Sequence, residues 1–436
     1  MAQPLRVLLK SLGCRLNEAE LESWAEGFRR RGFRIAEDDG PADLVVVNTC
    51  AVTQEAARKS RQLLRRCQRA NPRARLAVSG CLAALEGTDL AQRLGADLLI
   101  DNRDKDRLVD IAAESLALPV MPALAQTEPA EPLFARGRQR AFVKVQDGCR
   151  YACTFCVTTL ARGEERSRPI DEIVAQVARL AGGGVREVLL AGVHLGGYGS
   201  DRGTDLARLV RALLERTAMP RIRLGSLEPW DLPADFWDLF ADPRLMPHLH
   251  LPMQSGSDAV LRRMARRCKT AEFARLAERG RAAVPGLNLT TDIIVGFPGE
   301  SDADWQRTLD FVAAIGFGDV HLFAYSARAG TRAAALPQRV EPAVQRARCL
   351  ELAGLARTLR HRTLADQIGR RAAILREAAP RGGGASDLFG FTPNYLPVLT
   401  EAAAVAVPIG EILEVEIRAL DEDGERLRAA PLARTA

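Results

Sequence analysis

Nine residues constrain this chain more than any other stretch: Gly148-Cys149-Arg150-Tyr151-Ala152-Cys153-Thr154-Phe155-Cys156, with cysteines at i, i+4 and i+7. The spacing is too tight for three unrelated core residues. A C-x3-C-x2-C run wraps one iron–sulfur cube, because three thiolates from a single loop reach three of its corners. A four-iron cube with three protein thiolates keeps one iron open to another ligand, and the chemistry is expected there.

The chain has 436 residues, more than one hydrophobic core supports, so two to four domains are expected. A formal net charge of +6 permits a polyanionic partner without demanding one. The first residues, MAQPLRVLLKSLGC, lack the pattern of a secretory signal, and no run of 18 or more apolar residues predicts a membrane span. Nine cysteines in a chain of this length argue against a disulfide framework and for metal or redox use in a reducing cytoplasm.

From the N-terminus, the pattern predicts a strand at 5–9, a helix at 17–31 with Leu21, Trp24, Ala25 and Phe28 on one side, and a buried strand at 43–50. A basic helix over 54–70 and a strand at 76–81 follow, then a strand at 98–100 and a helix at 108–116. This alternation predicts an open α/β domain whose ligands gather at the carboxyl ends of the strands. Cys14, Cys50 and Cys81 each stand at or just past a predicted strand end. One such cysteine is ordinary core filling; three point to a second three-thiolate cluster site. Cys67, inside the basic helix, reads as a gap filler. Residues 117–139, rich in Pro, Ala and polar groups, read as a linker.

A β/α rhythm over about 220 residues then predicts a parallel barrel or partial barrel working at the strands' C-terminal ends. Its strands fall at 141–145, 188–190, 221–224, 249–251, 289–295 and 320–323. Its helices fall at 173–180, 206–214, 258–267, 271–283, 302–314 and 341–367. The tail, 368–436, has short alternating segments at 370–377, 395–399, 403–407 and 412–417, which suit a small all-β barrel.

Several motifs occur in order: Leu12-Gly13-Cys14, Asn48-Thr49-Cys50, Ser79-Gly80-Cys81, the loop 148–156, Arg166-Ser167-Arg168-Pro169, 249–257 (LHLPMQSGS) and 291–300 (TDIIVGFPGE). With these the chain resembles the radical S-adenosylmethionine (radical SAM) methylthiotransferase family over nearly its whole length. The resemblance implies an N-terminal cluster domain over 1–117, a linker over 118–139, a radical SAM partial (β/α) barrel over 140–367 and a C-terminal TRAM barrel over 368–436. Cys268 and Met253 depart from the pattern, where an aromatic and a leucine are usual.

The resemblance also implies two 4Fe–4S clusters, on Cys149, Cys153 and Cys156 and on Cys14, Cys50 and Cys81, with S-adenosyl-L-methionine chelating the open iron of the first. It implies a 5′-deoxyadenosyl radical that abstracts hydrogen from adenine C2, sulfur insertion at the second cluster, and methylation by a second S-adenosylmethionine. The segments Asn48–Thr53 and Ala57–Gln62, and the motif His321–Ser326, resemble the branch acting on N6-threonylcarbamoyladenosine-37 of tRNA. Branches acting on N6-isopentenyladenosine-37, or on an aspartate of a small-subunit ribosomal protein, share the chemistry. A non-catalytic iron–sulfur or RNA-binding protein would leave the polar strand-end loops unexplained.

Candidate cofactor-binding residues are Phe155, Gly183, Glu228, Gln254 and Asp292, each weighed against a structural role as loop wedge, turn or strand-end residue. Arg166 and Arg168 are candidates for bidentate pairing with a carboxylate or phosphate, including the threonylcarbamoyl carboxylate. His194, in a post-strand loop, reads as structural. Arginine-rich stretches at 58–75 and 262–269 are solvated helix faces or RNA backbone contacts. The remaining expectations are a sulfur donor, an electron-donating reductant, a monomer, no membrane partner and a cytoplasmic location.

Overall fold

The computed structural model describes residues 5–36, 40–118, 139–233, 235–378, 388–400 and 407–432. The expected linker over 118–139 and the expected strand at 403–407 fall almost entirely outside them. The chain forms two compact units, and both are discontinuous in sequence. One takes the described residues of 1–136 together with 147–166 and 326–334, and the other takes those of 137–146, 167–325 and 335–436.

The first unit is built on a five-stranded parallel sheet. Its elements run β1 (Arg6–Ser11), α1 (Arg15–Arg30), β2 (Arg34–Ile35), β3 (Leu44–Thr49), α2 (Gln54–Ala70), β4 (Arg75–Gly80), α3 (Cys81–Leu94), β5 (Leu98–Ile100) and α4 (Leu108–Ser115), with strand order β2-β1-β3-β4-β5. Residues of β3 are buried on both faces because helices cover both. Val45 and Val47 face Leu64 and Cys67 of α2 and Leu82 of α3. Leu44 and Val46 face Trp24 and Phe28 of α1 and Leu108 and Ala112 of α4. Thr53 starts α2 by accepting from the Ala56 N–H at 3.0 Å. Ala57, Ser60, Leu64 and Cys67 then face inward at helical spacing, while Arg65, Arg66 and Arg69 are exposed. Cys81 does not end a strand: it is the first residue of α3, a helix the sequence pattern did not predict. A short helix, α5 (Thr158–Arg162), belongs to the same unit and sets Ala161 in the core with Leu82 and Ala83.

The second unit carries two parallel sheets. Chain order continues through β6 (Arg140–Lys144), the two-residue strands β7 (Gln146–Asp147) and β8 (Arg166–Ser167), whose residues Asp147 and Arg166 belong to the first unit, α6 (Ile170–Gly182), β9 (Glu187–Ala191), α7 (Leu206–Arg216), β10 (Arg221–Leu224) and β11 (His248–His250). Then come α8 (Asp258–Arg263), α9 (Thr270–Ala283), β12 (Asn288–Val295), α10 (Asp302–Ile315), β13 (Asp319–Ala324) and α11 (Pro342–Ala365). The strand orders β10-β9-β6 and β11-β12-β13 are joined by parallel bridges Ile222–Leu245 and Ser226–His250, giving the expected partial barrel. Helix α8 is shorter than predicted: it stops at Arg263, and Ala265 at φ +55° turns the chain.

The tail forms a closed barrel from β14 (Arg371–Glu377), β15 (Leu388–Phe391), β16 (Pro397–Thr400), β17 (Ile412–Leu420) and β18 (Leu427–Pro431), in the order β14-β15-β16-β18-β17. Closure gives each of these described strands a partner on both sides. It docks on the N-terminal ends of the parallel strands through buried ions. Arg140 reaches Glu377 at 2.5 Å and Glu187 at 3.3 Å, Arg223 reaches Glu187 at 3.0 Å, and the Arg140 and Arg223 guanidiniums lie 4.8 and 4.7 Å from the Tyr395 ring centre. That end of the sheet is committed to stability, which leaves the opposite strand ends for the site.

Candidate functional site

Strands β1, β3 and β4 are adjacent and parallel, so their carboxyl ends share one edge, and Cys14, Cys50 and Cys81 follow those ends directly. Asn17 ties two of the loops together, donating to Leu12 O at 3.0 Å and Thr49 O at 3.2 Å. Ser60 holds the Cys50 backbone, accepting its N–H at 3.0 Å and donating to its carbonyl at 2.9 Å. Two glycines permit the close approach. Gly13 has φ +138°, and a methyl there would stand 2.9 Å from Cys50 Cβ. Gly80 has φ +104°, and a methyl there would stand 2.3 Å from Thr49 O.

Burial pushes the Cys50 thiol up to about 11, with a smaller contribution from the neighbouring charges of Cys81 and Cys14. Burial also raises Cys81, against the opposing charges of Arg162 and Lys105. Among the described residues no group of three or more His, Cys, Asp or Glu side chains forms a ready set for one metal ion. Thiolates on separate corners of an iron–sulfur cube stand farther apart than the ligands of one ion. Three mutually interacting thiols on loops from one sheet edge therefore suit a cube by donor chemistry, and binding would replace their protons.

Loop 147–166 lies in the same unit. Gly148 (φ +72°) starts it, and a methyl there would stand 1.8 Å from Glu164 O. The Cys149 N–H donates to Gly163 O at 3.1 Å, the Cys156 N–H to Cys153 O at 3.0 Å, and the Tyr151 N–H points at Cys149 Sγ at 3.4 Å. Cys149, Cys153 and Cys156 are half-exposed, as is Phe155 between them. The Ala333 N–H braces the loop at Thr154 O, 2.8 Å.

Behind both cysteine sets runs a buried ion network that sequence reasoning missed. Glu20 receives Lys105 Nζ at 2.5 Å, Arg162 Nη1 at 2.8 Å and Asn48 Nδ2 at 2.9 Å. Arg162 also reaches Asp147 Oδ1 at 2.9 Å and Asn17 Oδ1 at 2.8 Å. The side chains of Lys105, Glu20, Arg162 and Asp147 are no more than 2% exposed. Burial opposes the Arg162 charge, but Glu20 and Asp147 outweigh it and hold the guanidinium charged. Asp147 and Arg162 bracket the C-x3-C-x2-C motif, while Glu20, Asn17 and Asn48 belong to the strand-end cysteine framework. Glu20 and Asn17, on the inward face of α1, were the signal available.

In the second unit, Gln146 Oε1 accepts the N–H groups of Val193 and His194, each at 2.9 Å. His194 is buried, with Nε2 2.7 Å from Asp231 Oδ2 and 3.7 Å from Glu228 Oε2. Burial raises the Glu228 carboxyl, against the charges of His194 and Arg266. Asp292 lies inside β12, 3.1 Å from His250 Nε2. The Gln254 backbone, at φ +78°, donates to Asp292 O at 2.8 Å. Asp231 and His250 are thus added to the predicted set.

Gly183 does not join them. It caps α6 ahead of β9, at the opposite end of that strand from Val193 and His194. The Arg168 guanidinium is spent on Lys144 O at 2.7 Å and Gln176 at 2.8 Å, which makes it a brace, while Arg166 stands 3.8 Å from Asp147.

Comparison with known proteins bears on both units. Residues 6–101 match the model described as "Uncharacterized protein family UPF0004", and residues 143–312 match the "Radical SAM superfamily". The threonylcarbamoyladenosine tRNA methylthiotransferase MtaB of Thermotoga maritima is 34% identical, covering 96% of this chain and 95% of that protein. Its Bacillus subtilis counterpart is 33% identical, covering 94% and 93%. A tRNA-2-methylthio-N(6)-dimethylallyladenosine synthase of Cereibacter sphaeroides is 36% identical, covering 98% and 100%. Among solved structures, the radical S-adenosylmethionine methyltransferase TsrM of Kitasatospora setae shares the fold, with a TM-score of 0.58 at 15% identity over 76% of this chain and 77% of that one.

Proposed function

This chain belongs to the radical SAM tRNA methylthiotransferases, and from that premise we propose that it converts N6-threonylcarbamoyladenosine-37 of tRNA to the 2-methylthio derivative. The observation that carries the reading is the placement of Cys14, Cys50 and Cys81 on one sheet edge, in the same compact unit as the loop of Cys149, Cys153 and Cys156. Membership implies S-adenosyl-L-methionine and one 4Fe–4S cluster, which Cys149, Cys153 and Cys156 would hold. The strand-end trio would hold a second. When bound, these groups supply hydrogen abstraction at adenine C2, the inserted sulfur and the methyl group.

The protein's own part is orientation. The braced loop fixes three thiols, and Phe155 within it offers an apolar face to the cofactor. In the second unit, Glu228 and Gln254, beyond β10 and β11, and Asp292, within β12, offer polar groups, with His250 3.1 Å from Asp292 and His194 held by Asp231 at 2.7 Å. Substrate carbon must meet radical and sulfur in turn, so two thiol sets in one unit suit the sequence of steps. The domain division 1–117, 140–367 and 368–436, a sulfur donor, a reductant, a monomeric state and a cytoplasmic location complete the reading. No helix among the described residues is long and apolar enough to cross a membrane.

Support for the threonylcarbamoyl substrate comes from the names of two relatives and from the segment 48–62 around Cys50. The 36% identity with the dimethylallyladenosine synthase favours a second reading, in which the N6 substituent is apolar. Nucleoside analysis of tRNA from cells lacking the protein decides between them. Loss of 2-methylthio-N6-threonylcarbamoyladenosine is expected. Loss of the 2-methylthio dimethylallyl nucleoside instead selects the second reading, and an unchanged profile overturns both.

A further inference from the structure

Beside Cys50 the first unit gathers more positive charge than it neutralises. The segment 326–334 is pinned to the start of α2: the Gln54 N–H donates to Ser326 Oγ at 3.2 Å, and Gln54 Nε2 donates to Ala327 O at 3.1 Å. The next residue, Arg328, is half-buried, and its Nε is buried without a hydrogen-bond partner. It lies within the electrostatic field of Arg61, Glu86 and Cys50; burial foremost, then the Arg61 charge, holds its pKa below the ordinary arginine value. Arg61, on α2, is paired with Glu86, which also takes Arg93 at 2.8 Å. One carboxylate therefore serves Arg61 and Arg93, and Arg328 is left with a buried donor unmet.

We infer that Arg328, assisted by Arg61, is the recognition site for a carboxylate on the N6 substituent of the target adenosine, beside the Cys50 sulfur. A buried guanidinium donor without an acceptor is costly, and a carboxylate arriving in its plane satisfies it with paired, charge-assisted hydrogen bonds. Arg61 can share the incoming group by loosening from Glu86. An apolar substituent offers nothing to the unmet donor, so the pair discriminates by what the wrong substrate leaves unpaired. Glu86 competes with the substrate for the same cations and sets how tightly they hold it. This inference rests on the threonylcarbamoyl reading and adds the residues that enforce it.

The test uses reconstituted holoenzyme with two tRNAs, one carrying N6-threonylcarbamoyladenosine-37 and the other its carboxamide analogue, which has the same shape without the charge. Arg328→Gln and Arg61→Gln should raise KM for the carboxylate substrate roughly 10- to 100-fold and change KM for the carboxamide by less than about threefold. Glu86→Gln should lower KM for the carboxylate substrate alone. Equal losses on both tRNAs would make these arginines phosphate contacts and overturn the inference, as would an unchanged preference. Iron and sulfide content is measured on every variant, with Arg328→Lys as the charge-preserving control. Loss of iron in both Arg328 variants would make the residue structural and also overturn it. Failure of the underlying reading shows separately, as wild-type protein that leaves the threonylcarbamoyl nucleoside unmodified.

Discussion

Replacing Glu20 by Gln tests whether the buried ion network holds the two cysteine sets in one unit. The substitution keeps shape and removes one charge, so Lys105 loses its carboxylate at 2.5 Å and Arg162 loses one of its two. Both cations stay buried, at 0% and 1% side-chain exposure, and no solvent reaches them to compensate. Removing one partner of such a network costs about 3–5 kcal/mol. Burial already depresses the Lys105 pKa, so release of its proton limits the loss toward the lower figure. A loss of that size lowers the melting point of a unit this large by roughly 10 °C. A global melt would mix the two units, so hydrogen exchange is the better assay. Amides of Leu44–Thr49 and Arg75–Gly80 should exchange about a hundredfold faster or more in Glu20→Gln, while those of Glu187–Ala191 stay unchanged. The pair Glu20→Leu with Lys105→Met, which removes one charge of each sign, should recover part of the loss. A change under about 1 kcal/mol in the first unit would refute the reasoning, since a charge that matters this little is not holding the unit together.

Three further outcomes follow from other residues. Burial pushes the Glu187 carboxyl up, but Arg223 and Arg140, with Arg221 behind them, outweigh it and hold the group near 2. A carboxyl depressed in the folded state stabilises fully above its unfolded value of about 4.5 and loses that contribution as pH falls toward 2; acid unfolding of wild type should therefore steepen in that window, and Glu187→Gln should flatten it. Gly148→Ala places a methyl against Glu164 O at 1.8 Å, so the reconstituted variant should lose iron from the compact loop while the hydrogen exchange of β3 and β4 stays near wild type. Cys153→Ser and Cys81→Ser should each remove about half of the reconstituted iron, and the double variant nearly all; full iron in Cys81→Ser would sink the second cluster.

The α/β class, the partial barrel and the small β-barrel were legible because periodicity survives in single elements. Leu44–Thr49 reads as a buried strand, and Gln54–Ala70 turns its apolar residues inward at helical spacing. Helix α3 was not legible: Cys81-Leu82-Ala83 continues an apolar run out of β4, and Gly87, at φ +53°, interrupts the helical pattern beyond it. The deeper gap concerns connectivity. Charged residues at 20, 105, 147 and 162 carry no mutual signal along the chain, since nothing local marks a carboxylate as the partner of a lysine 85 positions away. Folding alone creates that pairing, and with it a unit in which the compact cysteine loop travels with the strand-end cysteines. An electrostatic joint suits this place better than an apolar one. Oily packing tolerates a shifted register, whereas Arg162, reaching Glu20, Asp147 and Asn17 at once, satisfies all three in one position only. On the proposed function one carbon passes from a radical to a sulfur, which needs the two thiol sets at a fixed separation, and a buried, directional joint is the kind of contact that fixes it.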